Sequence, residues 1–301
     1  DSGTLTITGA ATFITTAANR HIILDESDSV FASTVTMQAG DGSNAAFGNI
    51  TFVDSAAVKL HSSAASAGDL YINASTDLAV GGNLNITATT GNITQGAAVT
   101  VTGTSSFTTL ATDADITLSS ANALGGAVTL TTAGSGGDAT LDNGTTALDI
   151  AASTVRGNLT LTSGNASGIT DSGLVTVGGN FSATTNANNG DIDMETLAVT
   201  GTIALTTNDA ANNNTGHATV VNATQVTLAG SSVDGNLAVT ATTGNMTDSG
   251  ALTVTGTSSF TTSANDATIT LDTTTNAFSG AVTITTNDNA GADADVIIDG
   301  G

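Results

Sequence analysis

Apolar and polar residues alternate one for one over short stretches all along this chain. Leu5 and Ile7 stand between Thr4, Thr6 and Thr8; Val99 and Val101 flank Thr100; Leu252 and Val254 flank Thr253. Successive side chains of a strand point to opposite faces, so this pattern predicts short strands with aliphatics in a core and threonines toward water. Nowhere does apolar spacing at i, i+3, i+4 run long enough for a helix. Thr and Val also suit a pleated, half-buried surface. The chain is predicted to be all-β.

The alternating stretches recur as phrases. DSGTLTITG at 1–9 returns as QGAAVTVTG at 95–103, DSGLVTVGG at 171–179 and DSGALTVTG at 248–256. Each is followed by a lone aromatic (Phe13, Phe107, Phe181, Phe260) and then by an apolar pair spaced by two, such as Ile116/Leu118 or Ile269/Leu271. A second phrase closes each long repeat: GNLNITATTGNIT at 82–94, GNLTLTSGNASGIT at 157–170 and GNLAVTATTGNMT at 235–247. The long repeats are 1–94, 95–170, 171–247 and an incomplete 248–301. Divided into five sub-units for the first and four for the next two, they give a stride of about 19 residues, the scale of solenoid repeats.

Hairpin-linked sandwich strands call for Asn-Gly or Asp-Gly turns in register, and Asn143-Gly144 stands isolated. Similar strands at a fixed stride instead suit like stacking on like. The expectation is a single parallel β-helix over 1–301, of roughly sixteen coils and about 75 Å at ~4.8 Å per coil. The chain begins and ends inside repeat units, which reads as an excerpt of a longer array or as a subunit stacking on its own copies. The Gly-Asn pairs at 82–83, 157–158 and 235–236 are expected to supply left-handed turn residues.

The GNLTLT-like and VTVTGTSSF-like phrases, carried by Leu5/Ile7, Leu84/Ile86, Leu159/Leu161 and Leu237/Val239 with their Thr and Asn partners, resemble filamentous-haemagglutinin-type repeats of large bacterial secreted exoproteins. The resemblance covers essentially the whole chain. It implies a right-handed parallel β-helix, secretion or surface display, and adhesion, and it brings no catalytic motif.

Charge narrows the partners. The net charge is −23, from 26 acids against Arg20, Lys59 and Arg156. Three scattered cations cannot displace counterions from a phosphate backbone, so nucleic acid is excluded, and an anionic membrane surface is disfavoured. No apolar run reaches the ~18 residues that span a bilayer. Only 10% of residues are charged, which leaves a mostly neutral hydroxyl and amide exterior. The chain has no Cys, hence no disulfide or thiolate metal site, and no Pro, which would delete a ladder donor. Self-association end to end, or a surface glycan or protein receptor, is the expected partnership.

Candidate chemistry is sparse. Asp191, Asp193 and Glu195 in DIDME alternate with Ile192 and Met194, so the carboxylates share an outer face about 6–7 Å apart, a spacing able to hold Ca²⁺. The calcium nonapeptide is absent, and the plainer reading is a solvated strip. Asp293, Asp295 and Asp299 invite the same comparison. No Trp and a single Tyr accompany the acids, and His21, His61 and His217 lie far apart without a nucleophile at motif spacing, so catalysis and cofactors are not expected. Thr-X-Thr runs bring ice-binding solenoids to mind, but the runs fall on different sides of the expected coil and predict no unbroken Thr column. Asn-X-Ser/Thr triplets at Asn73, Asn85, Asn158 and Asn245 read as chance in so Asn- and Thr-rich a chain. A specialised surface is sought first around 40–70, with its Gly-Asp-Gly loop, and at the Asn-rich loop 208–217.

Overall fold

The computed structural model describes residues 1–17, 20–26, 28–31, 35–38, 49–55, 58–60, 69–72, 78–80, 82–89, 91–208, 215–287 and 294–300. Its regular elements are all strands. They form a parallel β-solenoid in two compact units, one of Asp1–Leu148 with Thr154–Gly157, the other of Asp149–Ser153 with Asn158–Gly301.

In the first unit Ile22, Ile50, Leu84, Ser105 and Val128 stack on one another in parallel register. A second stack runs Val58, Ile93, Ile116, Ala139, and a third Leu78–Val80, Val99–Val101 and Ala123–Leu124. One turn therefore has three sides. The strand Val35–Gln38 pairs in parallel with Ala11–Ile14 but antiparallel with Asp69–Ile72, the exception to the parallel rule. In the second unit one stack passes through Ile169, Ile192, Ala218, Leu237, Ser258 and Val282. The other passes through Leu159, Phe181 and Ile203, then Leu228 and Asp248.

The alternation holds as predicted. Val99/Val101, Ile116/Leu118, Leu159/Leu161 and Leu237/Val239 are all buried, as are Phe107, Phe181 and Phe260. Each such side chain contributes about 1.5–3 kcal/mol of burial.

The stride does not hold. The chain makes about ten turns rather than sixteen, with partners 21 residues apart at Leu84↔Ser105, 23 at Ser105↔Val128, 26 at Ile192↔Ala218 and 19 at Ala218↔Leu237. The second unit shows why. Phe181 and Phe260 occupy the same place in the repeated phrase, yet Phe181 lies in the stack of Leu159 and Ile203 while Phe260 lies in that of Val239 and Ile284, on the other sheet. From Phe181 the register climbs three turns, by way of Ile203 and Leu228 to Asp248. Phe260 lies half a turn further on. One long repeat is thus three and a half turns, not four, and a stride near 22 residues follows.

The Gly-Asn pairs also work differently from expectation. Positive φ falls instead at Gly134, Gly144, Gly168, Gly216 and Gly244, and at Asp113, Asn189 and Asp266 just after long strands. At Gly235 and Gly256 the need for glycine is close stacking. A Cβ on Gly256 would lie 2.4 Å from Asn236 Oδ1 and 2.6 Å from the Gly235 carbonyl oxygen. The Asn beside it is an acceptor: Asn236 Oδ1 takes the Thr257 N–H of the next turn at 2.8 Å.

Two inward hydroxyls have no hydrogen-bond partner. Ser105 and Ser258, the first serines of the two SSF phrases, interrupt the aliphatic columns Leu84–Ser105–Val128 and Leu237–Ser258–Val282, and their Oγ atoms are buried and unpaired. Removing a desolvated, unsatisfied hydroxyl of nearly the same volume relieves its penalty, so Ser258→Ala is expected to raise the unfolding free energy by about 1 kcal/mol. A guanidinium titration reads this directly, and a lowered midpoint would show that the hydroxyl does find a partner.

Candidate functional surface

The acidic strand Ile192–Val199 places its residues as the alternation requires: Ile192 and Met194 are buried, while Asp193 and Glu195 are exposed. Asp191 sits just ahead of the strand, half-buried, and its Oδ1 accepts the His217 N–H at 2.7 Å. Asp193 is flanked in register by Thr170 and Thr219. At Glu195 the ladder is irregular, with a register shift between Met194 and Leu197. Asp171, from the turn before, holds that irregularity. Its Oδ1 accepts the Glu195 N–H at 3.0 Å, and its Oδ2 accepts both the Thr196 N–H at 2.8 Å and the Thr196 hydroxyl at 2.7 Å. Asp191 and Asp171 are thus engaged with backbone at corners, and only Asp193 and Glu195 project side by side. Among the described residues no three His, Cys, Asp or Glu side chains are grouped to hold a metal ion.

Sequence reasoning missed Asp171, because its hydrogen-bond partners lie 24–25 residues away. It also missed Asp149, whose Oδ2 accepts the Ser172 hydroxyl at 2.9 Å while Oδ1 is buried without a partner. Asp295 lies beside the last strand and gives its carbonyl to the Ile269 N–H. Asp293, His61, the 40–44 loop, residues 209–214 of the Asn-rich loop and the side chains of Lys59 and Tyr71 lie outside the described residues.

An unbroken threonine column does exist, contrary to the sequence expectation. Thr202, Thr227, Thr247 and Thr270 stack in register on the second unit, and the Thr247 hydroxyl donates to Thr227 Oγ1 at 3.2 Å. Strides of 25, 20 and 23 residues hid it.

Nearby, corners at Thr200, Thr224, Gln225, Thr243 and Gly244 enclose a shallow concavity of about 360 Å³. The Thr224 hydroxyl donates to the Val199 carbonyl and that of Thr243 to the Ala223 carbonyl, both at 2.7 Å. Both hydroxyls therefore present acceptor lone pairs outward, in a neutral surface suited to hydrogen bonding.

The family described as repeats of unknown function (DUF5649) matches residues 1–38, 67–131, 136–206 and 215–285. No curated protein and no solved structure matches the chain.

Proposed function

The chain belongs to this family of repeats, and on that premise we propose that it is a non-enzymatic structural element, part of the stalk of an adhesin displayed on a bacterial surface. The observation that carries the reading is the division of labour within each turn. Inward aliphatics such as Leu159, Leu161, Ile203 and Leu205 are consumed by stacking, while the outward residues are predominantly Thr, Ser, Asn and Ala. Such a chain acts through stiffness and neutral polar surface rather than through a convergent set of reactive groups. The resemblance to filamentous-haemagglutinin-type repeats supports the extracellular setting, and the strand twist that sets the hand of parallel crossovers supports a right-handed winding. Ca²⁺ at Asp191, Asp193 and Glu195 belongs to this proposal as an accessory. A calorimetric titration without heat removes it.

Purified chain examined by negative-stain microscopy and on glycan and host-protein arrays tests the reading. Monomers that bind a surface glycan or receptor support the stalk. End-to-end polymers move the reading to a fibre subunit, and turnover of a polysaccharide overturns both.

A further inference from the structure

At corner after corner, the residue just ahead of a strand accepts, through its side chain, the N–H of the residue stacked on it in the next turn. Asn83 takes Thr104 N–H at 2.9 Å, Asn158 takes Asn180 N–H at 2.8 Å, and Asn180 takes Thr202 N–H at 2.9 Å. Asp115 does the same with a carboxylate for Asp138 N–H at 2.9 Å. At two steps the acceptor is an imidazole. His21 Nδ1 takes Asn49 N–H, and His217 Nδ1 takes Asn236 N–H, each at 2.8 Å. The second ring lies hard against the main chain, since a Cβ on Gly235 would come 2.5 Å from His217 Nδ1.

The geometry points to an acid-sensitive joint at each of these two steps, in which protonation of His21 or His217 releases the turn stacked on it. Nδ1 accepts only while it lacks a proton. Once protonated it is a donor facing a donor, so the bond is lost and the ring must turn away from the Asn236 or Asn49 amide. An amide acceptor such as Asn158 has no such transition, and carboxylate acceptors change only in stronger acid. The charged neighbours by sequence and register are Asp191, Asp193 and Asp234 for His217, and Asp1, Arg20, Asp25 and Glu26 for His21. The carboxylates ordinarily titrate below the imidazole range and the guanidinium above it, so histidine is the group that changes charge as mild acid is reached. The bonded form is the neutral one. Its contribution is therefore present above the imidazole titration range and is lost as pH falls through it.

Amide hydrogen exchange on the whole chain, corrected for the intrinsic pH dependence, tests this between about pH 8 and about pH 5.5. Asn236 is expected to lose about tenfold more protection than Asn180, whose acceptor is Asn158 and serves as the internal reference. Asn49 is expected to follow Asn236. In His217→Asn the excess loss at Asn236 should vanish while Asn49 keeps its own. Equal losses at Asn236 and Asn180 in the native chain would overturn the proposal whether or not the variant folds, as would imidazole nitrogen shifts showing Nδ1 protonated at about pH 8.

Discussion

Phe181→Ala is expected to lower the unfolding free energy of the second unit by about 3–5 kcal/mol, the usual cost of emptying a buried aromatic site. The ring is fully buried and stacks between Leu159 and Ile203. Neither neighbour can collapse far, because each is itself pinned in a ladder on both sides. In a stack where a turn touches only the turns beside it, the loss should also reduce cooperativity. A guanidinium titration would show it as a lower midpoint with a shallower slope. Leu174→Ala, at a position 53% exposed, is the matched control and should move the midpoint by less than about 0.5 kcal/mol. Equal effects for the two variants would mean that the inward column is not close-packed.

Asn222→Ala should cost nearly as much, about 3 kcal/mol, without removing any apolar surface. Asn222 is fully buried at a corner. Its Oδ1 accepts the Val199 N–H at 2.8 Å, and its Nδ2 donates to the Val199 carbonyl at 3.1 Å, the Gln225 carbonyl at 2.8 Å and Thr224 Oγ1 at 3.0 Å. Alanine leaves the Val199 N–H and the Gln225 carbonyl without that partner, away from water. Asn222→Asp separates this account from simple loss of packing. It keeps the acceptor but turns a carboxylate toward two carbonyls, so at neutral pH it should be worse than alanine and should recover in acid. Thermal melting of both variants at neutral and acidic pH measures this. An aspartate variant as stable as the native chain at neutral pH would sink the argument.

What was legible in the sequence was what is local. Strand period is decided by adjacent residues, so Val99/Val101 and Ile116/Leu118 declared their buried face, and the same logic put Asp193 and Glu195 outside. Register is not local. Two phrases can match in sequence and lie on opposite sheets, as Phe181 and Phe260 do, and nothing in their letters records the half turn. The Gly-Asn pairs failed for a related reason. A glycine chosen for close stacking and one chosen for left-handed φ look alike in sequence, and only the coordinates separate Gly235 from Gly168, whose φ is +70°. Buried corner asparagines such as Asn122 and Asn222 read as loop residues because their partners are backbone groups 20–28 positions away or in their own turn. The candidate acidic site was legible as a face and illegible as a constellation, since Asp191 and Asp171 serve neighbouring turns.

The half-integer length of the repeat has an evolutionary corollary. When such a unit is duplicated, the daughter copy is turned to the back of its parent within the same stack, and only the grandchild faces forward again. A feature useful on one side is therefore inherited on both. One-sided specialisation has to arise by point substitution, which singles out departures from the repeat, such as DIDME in place of the DITL and DATITL phrases elsewhere, as the places to look for selection.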